Sequence, residues 1–102
     1  MKRYVIEETL TPNSLNDKFP QGYKESYIRK GRHTVKAVTF YRSSFPEFWS
    51  EYFYTSKKMA EKGMKIMMKN SQEKYWDTSF RIVEIEIKVQ VNSGVATSPN
   101  IS

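Results

Sequence analysis

The chain has 102 residues, a size at which one domain built on one core is expected rather than two. Seventeen Lys and Arg against eleven Asp and Glu leave a net charge of +6, which favours anionic partners, either phosphate or acidic protein surfaces. Cysteine is absent, so disulfides, thiol nucleophiles, iron–sulfur clusters and cysteine-containing zinc sites are all excluded.

Residues 2–10 are rich in aromatic and β-branched side chains and predict a strand. The next twelve, TPNSLNDKFPQG, contain two prolines, two asparagines and a glycine, the composition of a long loop and a secondary candidate for partner contact. Residues 23–42 predict a β-hairpin turning at Lys30-Gly31. Its second arm sets Val35, Ala37, Thr39 and Tyr41 against Lys36, Val38 and Phe40, apolar on both faces as in a central strand.

Two patterns compete in residues 43–55. Phe45, Phe48, Trp49, Tyr52 and Phe53 have helical spacing, and Ser44 with Glu47 forms a capping box. The tail from Glu51 to Thr55 is strand-forming, so the reading is a short helical turn over 46–50 followed by a strand. Residues 56–70 are the clearest helix, with Ser56 as N-cap and Asn70 near its end. At 100° per residue, Ala60, Gly63, Met64 and Met67 fall on one side, with Lys58, Lys62, Lys65 and Lys69 opposite. Glycine inside a helix costs about 1 kcal/mol relative to alanine, so Gly63 on the apolar side implies a close approach to a sheet.

Residues 71–79 read as a polar connection containing Tyr75 and Trp76. Residues 80–91 form the best strand: Phe80, Ile82, Val83, Ile85, Ile87, Val89 and Val91 stand against Glu84, Glu86, Lys88 and Gln90, predicting one apolar face packed on the helix. The expected architecture is α+β, an antiparallel sheet of four to five strands with one amphipathic helix on one face. Residues 1–91 make the domain, and 92–102 a flexible tail. If the closing strand lies at a sheet edge it can pair with a second copy, so a homodimer through that edge is an expectation.

The run from Tyr54 to Lys62 (YTSKKMAEK), followed by Phe80 to Ile87 (FRIVEIEI), resembles small, mostly uncharacterised phage and bacterial proteins built as a ββαβ unit. The match covers about a third of the chain, and its motifs are a helix cap and a half-buried strand. The resemblance implies a phage-like context, in which small domains act by binding a host or defence component. It carries no catalytic residues.

Chemistry is sparse elsewhere. The one histidine, His33, reads as a solvated residue beside a turn, and no phosphate loop, dinucleotide fingerprint or nucleophile elbow occurs. No enzyme activity, cofactor or metal is expected. Met1 to Glu8 has too short an apolar run for a secretion signal, and no window approaches the roughly 20 apolar residues of a membrane span. No membrane contact and a cytoplasmic location, in a host or infected cell, are therefore expected.

The bases concentrate in two segments. Arg29, Lys30, Arg32, Lys36 and Arg42 lie in a window without an acid, and Lys57, Lys58, Lys62, Lys65 and Lys69 share the helix with Glu61 alone. A phosphate backbone needs cations along a line, and Tyr27, Tyr41, Trp49, Tyr52 and Trp76 are candidate aromatic contacts for unpaired bases. The first reading is thus a nucleic-acid-binding module using the hairpin and the lysine-striped helix. The alternative is a phage-type module that inhibits a host or defence complex by binding an acidic protein surface, because arginine also pairs bidentately with carboxylates.

Overall fold

The computed structural model describes residues 1–43, the backbone of 46–48, and 49–87. The Ser44–Glu47 capping box, the rings of Phe45 and Phe48, the strand end at 88–91 and the expected tail at 92–102 lie outside the described residues. Strands β1 (Lys2–Pro12), β2 (Glu25–Lys30), β3 (His33–Lys36) and β4 (Trp76–Glu86) form one antiparallel sheet in the order β3-β2-β1-β4. Two helices, α1 (Ala37–Arg42) and α2 (Lys57–Asn70), and a 3-10 segment, Pro46–Tyr52, complete the α+β fold.

Side chains alternate along a strand and paired residues share a face, so the register assigns every strand residue to one of two layers. Val5, Val83, Ile28 and Val35 share one face. There Ala37 and Phe40 of α1 join Tyr52 and Phe53 in the main core, with Trp49, Ile85 and Ile87 packed around it. Ile6 and its partner Ile82 point to the opposite face, where α2 lies over β1 and β4. Ile6 and Ala60 are fully buried. The sheet is therefore the middle of three layers, and β1 is its centre.

Each departure from the expected elements follows from packing. Residues 37–42 form a helix instead of the second half of a hairpin arm, although Val38, Thr39, Phe40 and Tyr41 favour strands. The helix has no side-chain cap. Burying Ala37 and Phe40 one turn apart outweighs local preference. The helical segment after it runs to Tyr52, kinked at Trp49, and the expected strand shrinks to a single bridge between Tyr54 and Tyr4. β4 begins earlier than expected, at Trp76. It also serves both faces: Trp76, Phe80 and Ile82 turn toward the α2 side, whereas Val83, Ile85 and Ile87 turn toward α1. The one-faced reading of that strand is thereby corrected.

The two turns of clearest chemistry are as expected. Gly31, with φ +59°, opens the two-residue β2–β3 turn, a left-handed backbone that favours glycine. Ser56 Oγ accepts the Met59 amide at 3.2 Å and starts α2. Gly63 makes room for Tyr54: a Cβ there would lie 2.6 Å from Tyr54 Oη and 3.1 Å from the ring. Gly63→Ala is expected to lower the melting temperature despite alanine's advantage of about 1 kcal/mol in a helix. In a Tyr54→Leu background the same change should raise it, and thermal melts of the four chains check both signs.

Candidate nucleic-acid interface

Two adjacent glutamates in the central strand organise the polar part of the structure. Glu7 and Glu8 are 7% and 6% exposed, and alternation sends them to opposite faces. On the α1 side, Arg81, directly across from Glu7, donates through Nε at 2.8 Å and Nη2 at 2.7 Å to Glu7 Oε1. Tyr41 Oη donates to the same oxygen at 3.2 Å. Burial first, and then the Glu7 charge and hydrogen bond, push the Tyr41 phenol up to about 12. On the α2 side, Arg29 Nη1 donates to Glu8 Oε1 at 2.9 Å. Arg29 Nε is buried and has no hydrogen-bond partner among the described residues.

The Glu8–Arg29 pair floors a cleft of about 570 Å³. Because α2 covers β1 and β4, its flank stands as a wall beside β2, with Gly63, Ile66, Met67 and Asn70 lining it and Tyr54 beneath. Ile66 is 56% exposed at the rim. On the same face of the sheet, beyond Arg29, lie Tyr27 and Lys36, which are register partners. They border a second groove of about 410 Å³ with Tyr23 and Glu25. Tyr27 Oη and Tyr23 Oη each donate to Glu25 at 2.7 Å. Those bonds, that of Tyr27 first, hold the Glu25 carboxyl below its usual value and push both phenols up.

The structure divides the sequence candidates between surfaces. Lys58, Lys62, Lys65 and Lys69 are exposed on the side of α2 away from the sheet, and none forms an ion pair among the described residues. Arg29 and Lys36 belong to this side of the molecule too. Lys30 ends β2 beside Tyr54: its Nζ donates to the Phe53 carbonyl at 2.6 Å and sits 4.5 Å from the Tyr54 ring centre, so it is engaged within the fold. Arg32 is exposed at the hairpin turn, and Arg42 is exposed in the last turn of α1.

Among the aromatic candidates, Tyr52 is buried in the main core and Trp49 packs against it, which leaves Tyr52 no ring face to offer a partner. Trp76 lies against Phe19 and Tyr23, ring centres 5.0 and 6.3 Å away, and fastens the long loop. Asn13 and Asn16 complete that attachment through bonds to the Lys74 and Tyr75 carbonyls. Tyr41 is exposed on the α1 side, and Tyr27 remains half-buried beside the cleft.

Sequence reasoning did not single out Glu8, Tyr54, Ile66 or Asn70. Ile66 carried a signal, as an apolar residue at the margin of a lysine stripe. No protein-family model matches the chain, and no curated protein or solved structure is significantly similar to it. Among the described residues no group of three or more His, Asp or Glu is placed to hold a metal ion, and no helix is long and apolar enough to cross a membrane.

Two outcomes follow from the buried pairs. Arg29→Met strands the Glu8 carboxylate and should cost about 2–3 kcal/mol in urea unfolding, with Glu8→Gln in the same chain restoring part of the loss. The folded state raises the Tyr41 phenol above its ordinary value of 10, so its stabilisation is complete below pH 10 and is lost as pH rises toward 12. Ultraviolet titration should show a tyrosine step near 12 that Tyr41→Phe removes.

Proposed function

We propose that the chain is a small non-catalytic module that binds nucleic acid on its α2 side. Phosphates run along Lys58, Lys62, Lys65 and Lys69, and Lys36 extends the track toward the hairpin. The lysine ladder carries this reading. Lys58/Lys62, Lys62/Lys65 and Lys65/Lys69 are like-charge neighbours three or four residues apart, each costing a helix about 0.2–0.5 kcal/mol. The first turn has no acid, so Lys57 and Lys58 sit at the positive end of the helix dipole.

A helix that needed only solvation would interleave carboxylates, and only Glu61 does so here. The ladder advances eleven positions, about 16 Å at 1.5 Å per residue, and a line of cations of that length matches a phosphate backbone. Exposed Met59, Ile66 and Met68 among the lysines favour a second reading, an acidic protein surface with apolar contacts, of the inhibitory kind that the phage-like resemblance implies.

Titration of labelled single-stranded and duplex oligonucleotides across a salt series tests the choice. Four phosphate contacts on a single strand give a slope of log K against log salt of about −3. Lys62→Glu with Lys69→Glu should flatten that slope and weaken binding to every sequence alike. Retention only at low salt, together with a stoichiometric complex formed with an acidic protein, would select the second reading.

A further inference from the structure

We propose that the cleft between α2 and β2 receives an unpaired base, with its sugar, from a single strand whose phosphates lie on the lysine ladder. This rests on the nucleic-acid reading and makes it specific to single strands. Three observations on one face converge. The first is size: about 570 Å³ falls within the range of roughly 300–1,000 Å³ typical of ligand sites, and it admits a planar base with room to spare.

The second is the order of side chains along α2. Ile66 lies four residues after Lys62 and three before Lys69, so an exposed apolar wall adjoins the cations on the same helix. A strand tracking the lysines therefore passes the mouth of the cleft. In a duplex the bases are already stacked and paired, and an apolar rim beside the phosphates gains nothing from them. An unpaired base buries its π-face there.

The third is the polar floor. Arg29 is tethered through one terminal nitrogen to Glu8, which holds the guanidinium at the cleft floor while the side chain stays 37% exposed. Asn70, at the rim, presents both an amide donor and an acceptor. A tethered guanidinium and an amide are groups that meet the edge or face of a base splayed out of its stack.

The test compares two labelled strands of about twelve nucleotides and equal charge, one carrying bases and one abasic throughout, at near-physiological salt. The strand with bases should bind at least about tenfold more tightly. Ile66→Ser, whose fold is checked by its thermal melt, should reduce that advantage to less than about threefold. In the amide NMR spectrum Gly31, which lines the cleft from the hairpin and lies off the lysine-bearing helix, should move with the base-bearing strand and not with the abasic one, while Gly22 in the long loop stays in place.

Equal affinity for both strands overturns the base site and leaves the lysine ladder standing. Binding of neither strand overturns both. A base-dependent advantage that survives Ile66→Ser, or one that leaves Gly31 unmoved, also overturns the cleft, because the base is then held elsewhere.

Discussion

Two consecutive glutamates in the middle of a central strand constrain the whole arrangement. β1 is covered on both faces, so whichever way Glu7 points, Glu8 points into the opposite layer. Both carboxylates are largely buried, and each takes an arginine from a different neighbouring strand, Arg81 from β4 and Arg29 from β2. Such pairs add little net stability over apolar replacements, because desolvating two charges offsets their attraction. Their effect is on register. A slip of one residue in β4 or β2 would carry the arginine to the wrong face and strand its glutamate, so mispaired sheets are strongly disfavoured. The Tyr41 hydroxyl extends the constraint to α1, a six-residue helix with no side-chain cap that its own residues would not hold.

The two faces of the sheet are finished differently, and the difference creates the cleft. On one side the aromatic rings of Phe40, Tyr52, Phe53 and Trp49 close over β1, β2 and the end of β4. On the other a single helix does all the covering. Tyr54, bridged to Tyr4 and inserted against Gly63, occupies the space beneath α2, and the helix sits over β1 and β4, leaving the face of β2 open. Gly63 is thus read most simply as accommodating a phenol ring, and the cleft is what remains beside it. The glutamate that fixes register on this side is also the one whose arginine floors the cleft, so register and site share the same pair.

Elements whose pattern answers to one local rule were legible in the sequence: the first strand, the Lys30-Gly31 turn, the Ser56 cap with its helix, and the alternation of the closing strand. The misread elements are those whose residues answer to two neighbours at once. Residues 37–42 are strand formers that become helix because Ala37 and Phe40 must enter one core while Tyr41 reaches Glu7. The adjacent apolar pair Ile82-Val83 marks where β4 passes from serving α2 to serving α1, which a one-faced reading of the strand does not accommodate. Nothing local in the sequence marks Glu7-Glu8. Its meaning appears only once β1 is known to be central, since two neighbours on a doubly covered strand cannot both face water. The lysines of the candidate interface were visible from helical spacing, but the cleft was not: it depends on where α2 comes to rest, which Tyr54 and Gly63 decide from different segments.

The charge on α2 bears on function through its cost. Ser56 caps the helix and Ala60 is fully buried, but the exposed side sets lysine against lysine and places two more charges at the unfavourable end of the dipole. Isolated, a fourteen-residue helix of this kind is marginal, so packing on β1 and β4 must hold it against its own repulsion. In the proposed complex a polyanion would reverse the sign of that repulsion: each cation that weakens the free helix would become a contact, and binding would stabilise the fold by mass action. In the proposed complex one helix both carries the phosphate contacts and walls the cleft, so the two contacts share a single element.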